Sequence, residues 1–94
     1  MTDEEMQLRI SARRNRLLGE WAAGRMGLNE AETESYAKDV IRADFEEAGE
    51  HDVIRKLLGD LIAAGVDCDE EHIREALRRT DIEARRQIIE ASNH

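Results

Sequence analysis

Not one proline interrupts the 94 residues of this chain. Proline stops helices and shapes turns, so its absence leaves helix ends to glycine and to capping side chains. There is also only one Trp, one Tyr and one Phe. β-rich chains need β-branched and aromatic residues with frequent turn punctuation, so the composition favours long helices. A chain of this length forms one domain and buries roughly 60–65% of its unfolded surface, enough for a modest core without staples.

Hydrophobic periodicity divides the chain into four amphipathic stretches. The first is predicted over residues 3–25, with Thr2 and Glu5 as a capping box and Gly27 at its end. At 100° per residue, Met6, Ile10, Leu17 and Trp21 share a narrow arc, with Leu18 at its edge and Arg14 among them. The second covers 29–47, opened by Asn29 and Glu32, with a stripe of Thr33, Ala37, Val40, Ile41 and Asp44 and with Phe45 at the border. The third covers 52–64 and carries Val53, Ile54, Leu57, Leu58 and Leu61. Gly65 reads as its left-handed cap, with Val66 folding back on Leu61. The fourth covers 69–91, with a stripe of Ile73, Ala76, Leu77, Thr80, Ala84 and Ile88. Thr80 and Glu83 repeat the capping pattern inside that run, so both a continuous helix and a break near Thr80 stay open. If it is continuous, Ile82 and Ile89 point outward. Short connections make neighbouring helices antiparallel. The expected fold is all-α, a compact four-helix bundle forming one domain over residues 1–94.

The formal net charge of −8 narrows the partners. Acidic chains with few aromatics have neither the electrostatic footprint nor the stacking platform for nucleic acid. Anionic membranes repel them as well. A basic or mixed protein surface is the natural partner class. The start of the chain has neither the basic nor the apolar part of a secretory signal, and no apolar run is long enough to span a membrane. Cys68 is the only cysteine, which excludes an internal disulfide and fits a reducing compartment. The expected location is cytoplasmic.

Catalytic signatures are missing. Gly19, Gly24 and Gly27 follow no strand and precede no Gly-Lys-Ser/Thr, so they read as points of close helix approach or helix ends. The run Asp67-Cys68-Asp69-Glu70-Glu71-His72 gathers potential ligands. As a calcium loop it has His72 where glycine is needed and Arg78 where the bidentate Glu belongs. As a zinc site it lacks a second ligand pair. Acidic residues at a helix N-terminus suit the macrodipole and account for it. His51, His72 and His94 accompany no nucleophile in a recognised pattern. Most charges read as solvated faces, including the i,i+4 pairs Asp52–Lys56, Glu70–Arg74 and Glu75–Arg79. No enzyme activity, metal or cofactor is expected.

Two groups of charges stand apart. Arg14 and Asp44 each lie on an apolar stripe, and a buried charge requires a partner. A buried Arg14–Asp44 pair is one reading; an arginine reaching water along its stem is the other. Arg9, Arg13 and Arg16 form a basic strip about 60° wide beside the apolar face of the first helix. It is either ordinary solvated charge or a docking strip for an acidic partner.

Three segments of the sequence resemble a known family. They are Ala12-Arg13-Arg14-Asn15-Arg16-Leu17-Leu18-Gly19 with Trp21-Ala22-Ala23, the stretch from Tyr36 to Glu47, and Asp60-Leu61-Ile62-Ala63-Ala64-Gly65-Val66-Asp67. Together, in this order, they resemble the zeta subunit family, small bacterial inhibitors of the F-type ATP synthase. The resemblance runs from about Ala12 to the C-terminus. It implies a four-helix bundle that regulates rather than catalyses. It further implies that a mobile N-terminal segment becomes helical and wedges into the interface of the α and β subunits near γ, blocking hydrolytic rotation. A segment that folds on binding gives up ordering entropy and is readily regulated.

The sequence departs from the family at that segment. Only Met1 to Ser11 precede the Ala-Arg-Arg-Asn string, a reach of about 40 Å extended or about 16 Å as helix. A misassigned start would restore a longer arm. Two functions are therefore expected in competition. One is a regulator that binds the catalytic head of ATP synthase (its α, β and γ subunits) through Met6, Gln7, Ile10, Arg13 and Arg16, placing it peripherally at the inner membrane. The other is an arm-less paralogue that does not inhibit and serves as a protein-binding adaptor or a module for a small ligand or nucleotide. Nucleotide binding would be weak, since arginines can hold phosphate but no loop cradles it.

Overall fold

The computed structural model describes the backbone of residues 2–46 and 50–92, and the side chains of all of these except 44–46 and 50. The chain is an all-α four-helix bundle: α1 (Asp3–Met26), α2 (Glu30–Glu46), α3 (Glu50–Ala63) and α4 (Glu70–Ser92). α1 lies along α2 and α4 and reaches α3 across the bundle, and α3 closes the ring against the same two helices.

Local chemistry sets the helix ends. The Thr2 hydroxyl accepts from the Glu5 amide at 3.1 Å. Asn29 and Glu32 form the reciprocal box, each side chain accepting the other's backbone N–H, at 2.8 and 2.9 Å. At α4 the box has an unusual member. Asp69 accepts from the His72 amide, and His72 Nδ1 accepts from the Asp69 amide. Each such cap satisfies donors that the first helical turn leaves open. Gly27 (φ 74°) and Gly65 (φ 80°) close α1 and α3 in the left-handed region, where side chains other than glycine are strained. The Val66 amide donates to the Leu61 carbonyl at 2.9 Å, and Val66 packs on the core that contains Leu61. That is the closing contact of a Schellman cap.

α4 does not break near Thr80. It is one helix from Glu70 to Ser92, and the Thr80 hydroxyl donates back to the carbonyls of Ala76 and Leu77 instead of capping forward. Ile82 and Ile89 accordingly face solvent, 70% and 48% exposed.

The core is Leu18, Ala22, Val40, Val53, Ile54, Leu57, Leu61, Ile73, Ala76 and Leu77. For α2, α3 and α4 these residues lie on the predicted stripes. α1 is rotated relative to its prediction. Its buried residues are Ile10, Arg14, Asn15, Leu18, Gly19, Ala22 and Ala23, while Met6, Leu17 and Trp21 are only half-buried. Steric fit explains the rotation. A Cβ placed on Gly19 would lie 2.9 Å from Ala37 Cα and 3.3 Å from Val40 Cγ2, so α1 and α2 meet backbone to backbone along a face of small residues. Close approach gains dispersion contacts that a bulkier face forfeits.

Polar contacts tie helices at the rim. The Tyr36 hydroxyl of α2 donates to Asp60 of α3 at 2.7 Å, and Lys56 donates to the same carboxylate at 3.1 Å. Lys56 also sits over the Tyr36 ring. Of the expected i,i+4 pairs, Glu70–Arg74 forms at 2.7 Å, whereas Lys56 takes Asp60 rather than Asp52. No ion pair between Glu75 and Arg79 is seen among the described residues. Further along α4, Arg85 pairs with Asp81, and Arg86 bridges Glu83 and Glu90.

Candidate functional site

The N-terminal half of α1 separates its residues by depth. Gln7, Leu8, Arg9 and Arg13 are exposed, and Met6 and Arg16 are half-buried. Ile10 is 3% exposed and belongs to the packed side of the helix. Of the five expected contact residues, Gln7 and Arg13 are thus open to a partner, and Met6 and Arg16 are partly so. Ile10 instead holds the helix to the bundle, because its angular position falls toward the rotated core face.

Arg14 is 7% exposed and directs Nε and Nη2 to Asn15 Oδ1, both at 3.1 Å. It does not reach freely into solvent. Its expected partner Asp44 lies outside the described side chains. Asn15, 1% exposed, leaves its Nδ2 without a partner among the described residues. A buried donor in that position is costly, so the Arg14–Asn15 couple is a polar inclusion in an otherwise apolar seam.

The basic strip proves to be one side of a groove. Arg9, Ala12, Arg13 and Arg16 of α1, Ile41 of α2 and Ile88 of α4 enclose a surface volume of about 360 Å³. Arg16 is held by Glu34 of α2, at 2.7 Å. Arg9 and Arg13 have no ion pair among the described residues. Lys38, one turn before Ile41, is also exposed. Reading the helices one at a time finds the arginines but not the groove. Ile41 and Ile88 each belong to a core stripe of their own helix, and only assembly leaves them half-buried beside α1.

A second groove, of about 460 Å³, lies between α1 and α4. Leu17, Trp21, Ala76 and Thr80 line it, with Glu20, Arg79 and Glu83 at its edge. Its rim carries both signs of charge. Arg25 lies 5.7 Å from the Trp21 ring centre, a distance at which a guanidinium is attracted to the ring face.

Elsewhere the titratable groups serve structure. The Tyr36 phenol is pushed above its ordinary range by burial first, then by the hydrogen bond and charge of Asp60 and by Asp39. The Cys68 thiol is raised by partial burial and by Asp69 and Asp67, against an opposing pull from Arg25. Raising a thiol reduces its thiolate fraction and hence its reactivity. His72 takes the capping role described above. Among the described residues no three His, Cys, Asp or Glu side chains cluster so as to hold a metal ion. No described helix is long and apolar enough to cross a membrane.

Comparison with known proteins fits this geometry. No curated protein sequence matches the chain. A protein structure determined by solution NMR is 40% identical, covers 92% of this chain and 98% of its own, and superimposes with a TM-score of 0.80. The family model for ATPase inhibitor subunit zeta matches residues 1–87, which takes in the first turns of α1 as well as the three segments from Ala12 onward. The chain belongs to the ATPase inhibitor subunit zeta family, whose members regulate rather than catalyse.

Proposed function

We propose that this chain binds the catalytic head of the F-type ATP synthase and limits its ATP hydrolysis, acting as a single domain without chemistry of its own. The family match over residues 1–87 carries this reading. The geometry supplies a means. α1 is a capped helix from its first turn, with Ile10 and Arg14 buried, and it presents Gln7, Leu8, Arg9 and Arg13 outward. A preformed helix loses less entropy on docking than a disordered segment does. Inhibition by occupancy needs only affinity and placement. In this reading the protein sits in the cytoplasm, peripheral to the inner membrane through the synthase, and Met6, Gln7, Arg13 and Arg16 are its contact residues.

A second reading rests on the burial of Ile10. Residues 3–11 are part of α1, and a segment fastened to the bundle wedges less readily into a cleft than a loose one. The chain would then bind its partner as an adaptor and leave hydrolysis untouched.

Titrating the protein into the cognate catalytic head separates the two, with hydrolysis and pull-down followed together. A saturable fall in hydrolysis is expected. Binding at constant hydrolysis would replace the inhibitor reading by the adaptor. Neither binding nor inhibition would remove both.

A further inference from the structure

We infer that the groove walled by Arg9, Arg13, Ile41 and Ile88 is the docking site for an acidic amphipathic helix of the protein partner. This rests on the partner-binding reading above and specifies what the partner must present. The first ground is charge. In a chain of net charge −8, two exposed arginines without an ion pair among the described residues stand on one edge of a single groove. Opposite charge on a partner is steered toward such a place, while like charge elsewhere on this surface turns the same partner away.

The second ground is the apolar lining. Ala12, Ile41 and Ile88 come from three different helices, and each is half-buried at the groove. A purely ionic ligand would leave that surface wet. A helix with aliphatic residues at i, i+3 or i+4 and i+7 covers it and brings flanking carboxylates to the arginines. The α1–α4 groove lacks this combination, since Glu20, Glu83 and Arg79 share its rim.

Arg16 pairs with Glu34 of α2 at 2.7 Å, which leaves Arg9 and Arg13 as the groove's cations without an ion pair among the described residues.

The test uses the full chain and a synthetic helical peptide with leucines spaced three and four residues apart and glutamates beside them. A counterpart carries lysines in place of the glutamates. Backbone amide NMR is expected to show shifts confined to residues 9–16 and the surroundings of Ile41 and Ile88, weakening as salt is raised. R9E/R13E should lose roughly tenfold or more in peptide affinity, and R9K/R13K should retain most of it. Both sites are exposed, so unchanged circular dichroism serves as the folding control. Shifts elsewhere, equal binding of the lysine peptide, or indifference to R9E/R13E would overturn the inference. Parallel pull-down of the catalytic head keeps the two claims apart. A head that binds wild type and R9E/R13E alike leaves the regulator reading standing and removes the groove. Wild type that takes the peptide but not the head keeps the groove and removes the regulator.

Discussion

α1 and α3 face each other across the bundle and fill its core by opposite means. α3 contributes Val53, Ile54, Leu57 and Leu61, all 3% exposed or less. α1 contributes Leu18 with Gly19, Ala22 and Ala23, plus the polar couple Arg14 and Asn15. Large aliphatic side chains stabilise by the apolar area they remove from water. Small ones stabilise by what they omit, letting the Gly19 backbone come against Ala37. One helix is held by volume and the other by proximity, so they should fail under different substitutions.

The largest expected effect is on the volume side. Leu57→Ala removes a fully buried side chain and should destabilise by about 3 kcal/mol in denaturant unfolding. A domain of this length has about 5–14 kcal/mol in total, so the variant should be close to marginal. A loss well under ~1 kcal/mol would mean that the α3 face repacks freely.

Next comes the proximity side. Gly19→Ala gains about 1 kcal/mol of helix propensity but sets a Cβ 2.9 Å from a backbone atom of α2. Overpacking of this kind costs ~1–3 kcal/mol, so the net expectation is a loss of about 1 kcal/mol. Gly59→Ala on α3 meets nothing within 4 Å and should stabilise by ~0.5–1 kcal/mol. The same substitution thus has opposite signs on the two helices. Thermal unfolding that shifts both variants the same way would break the contrast.

Tyr36 sharpens the comparison at the rim of α3. Tyr36→Phe should cost ~0.5–1 kcal/mol through loss of the hydrogen bond to Asp60. The raised phenol makes a second test. A group whose folded pKa lies above its unfolded value of about 10 stabilises fully below that pH, and the contribution is lost as pH rises beyond it. This is the chain's one tyrosine, so phenolate absorbance should appear together with alkaline unfolding. Phenolate forming in the folded protein near pH ~10 would contradict the buried hydrogen bond.

The smallest effect lies on the solvent face of α4. The Glu83 carboxyl is held at about 2 by its hydrogen bond to Arg86 and a second from Gln87. A depressed carboxyl stabilises above its ordinary pKa of about 4.3, and the contribution fades as pH falls from there toward the folded value. On a solvated surface the gain is small and screened by salt. Carboxyl NMR titration of Arg86→Ala should return Glu83 toward ordinary values while acid unfolding barely moves.

The sequence exposed the bundle clearly and the site only partly. Leu57 and Leu61, or Ile73 and Leu77, announce their faces because bulky apolar side chains recur at helical spacing. Thr2, Asn29, Gly27 and Gly65 announce the ends because capping is chemistry within a few residues. α1 misleads for the same reason. Met6, Leu17 and Trp21 are large and apolar, yet they stay half-buried while the helix turns Gly19 and Ala22 inward beside Ile10 and Leu18. At the candidate site, Arg9, Arg13 and Arg16 are visible as a strip, but Ile41 and Ile88 become their neighbours only when three helices meet.

The sequence by itself determined four helices, their caps, the core faces of α2, α3 and α4, and membership in a family of ATPase inhibitors. Tertiary structure alone decided the rotation of α1, the continuity of α4 through Thr80 and the groove. Periodicity and capping depend on residues within a turn or two of one another. How closely two helices approach depends on the shape of both surfaces, and at Gly19 and Ala37 the decisive feature is a side chain that is absent.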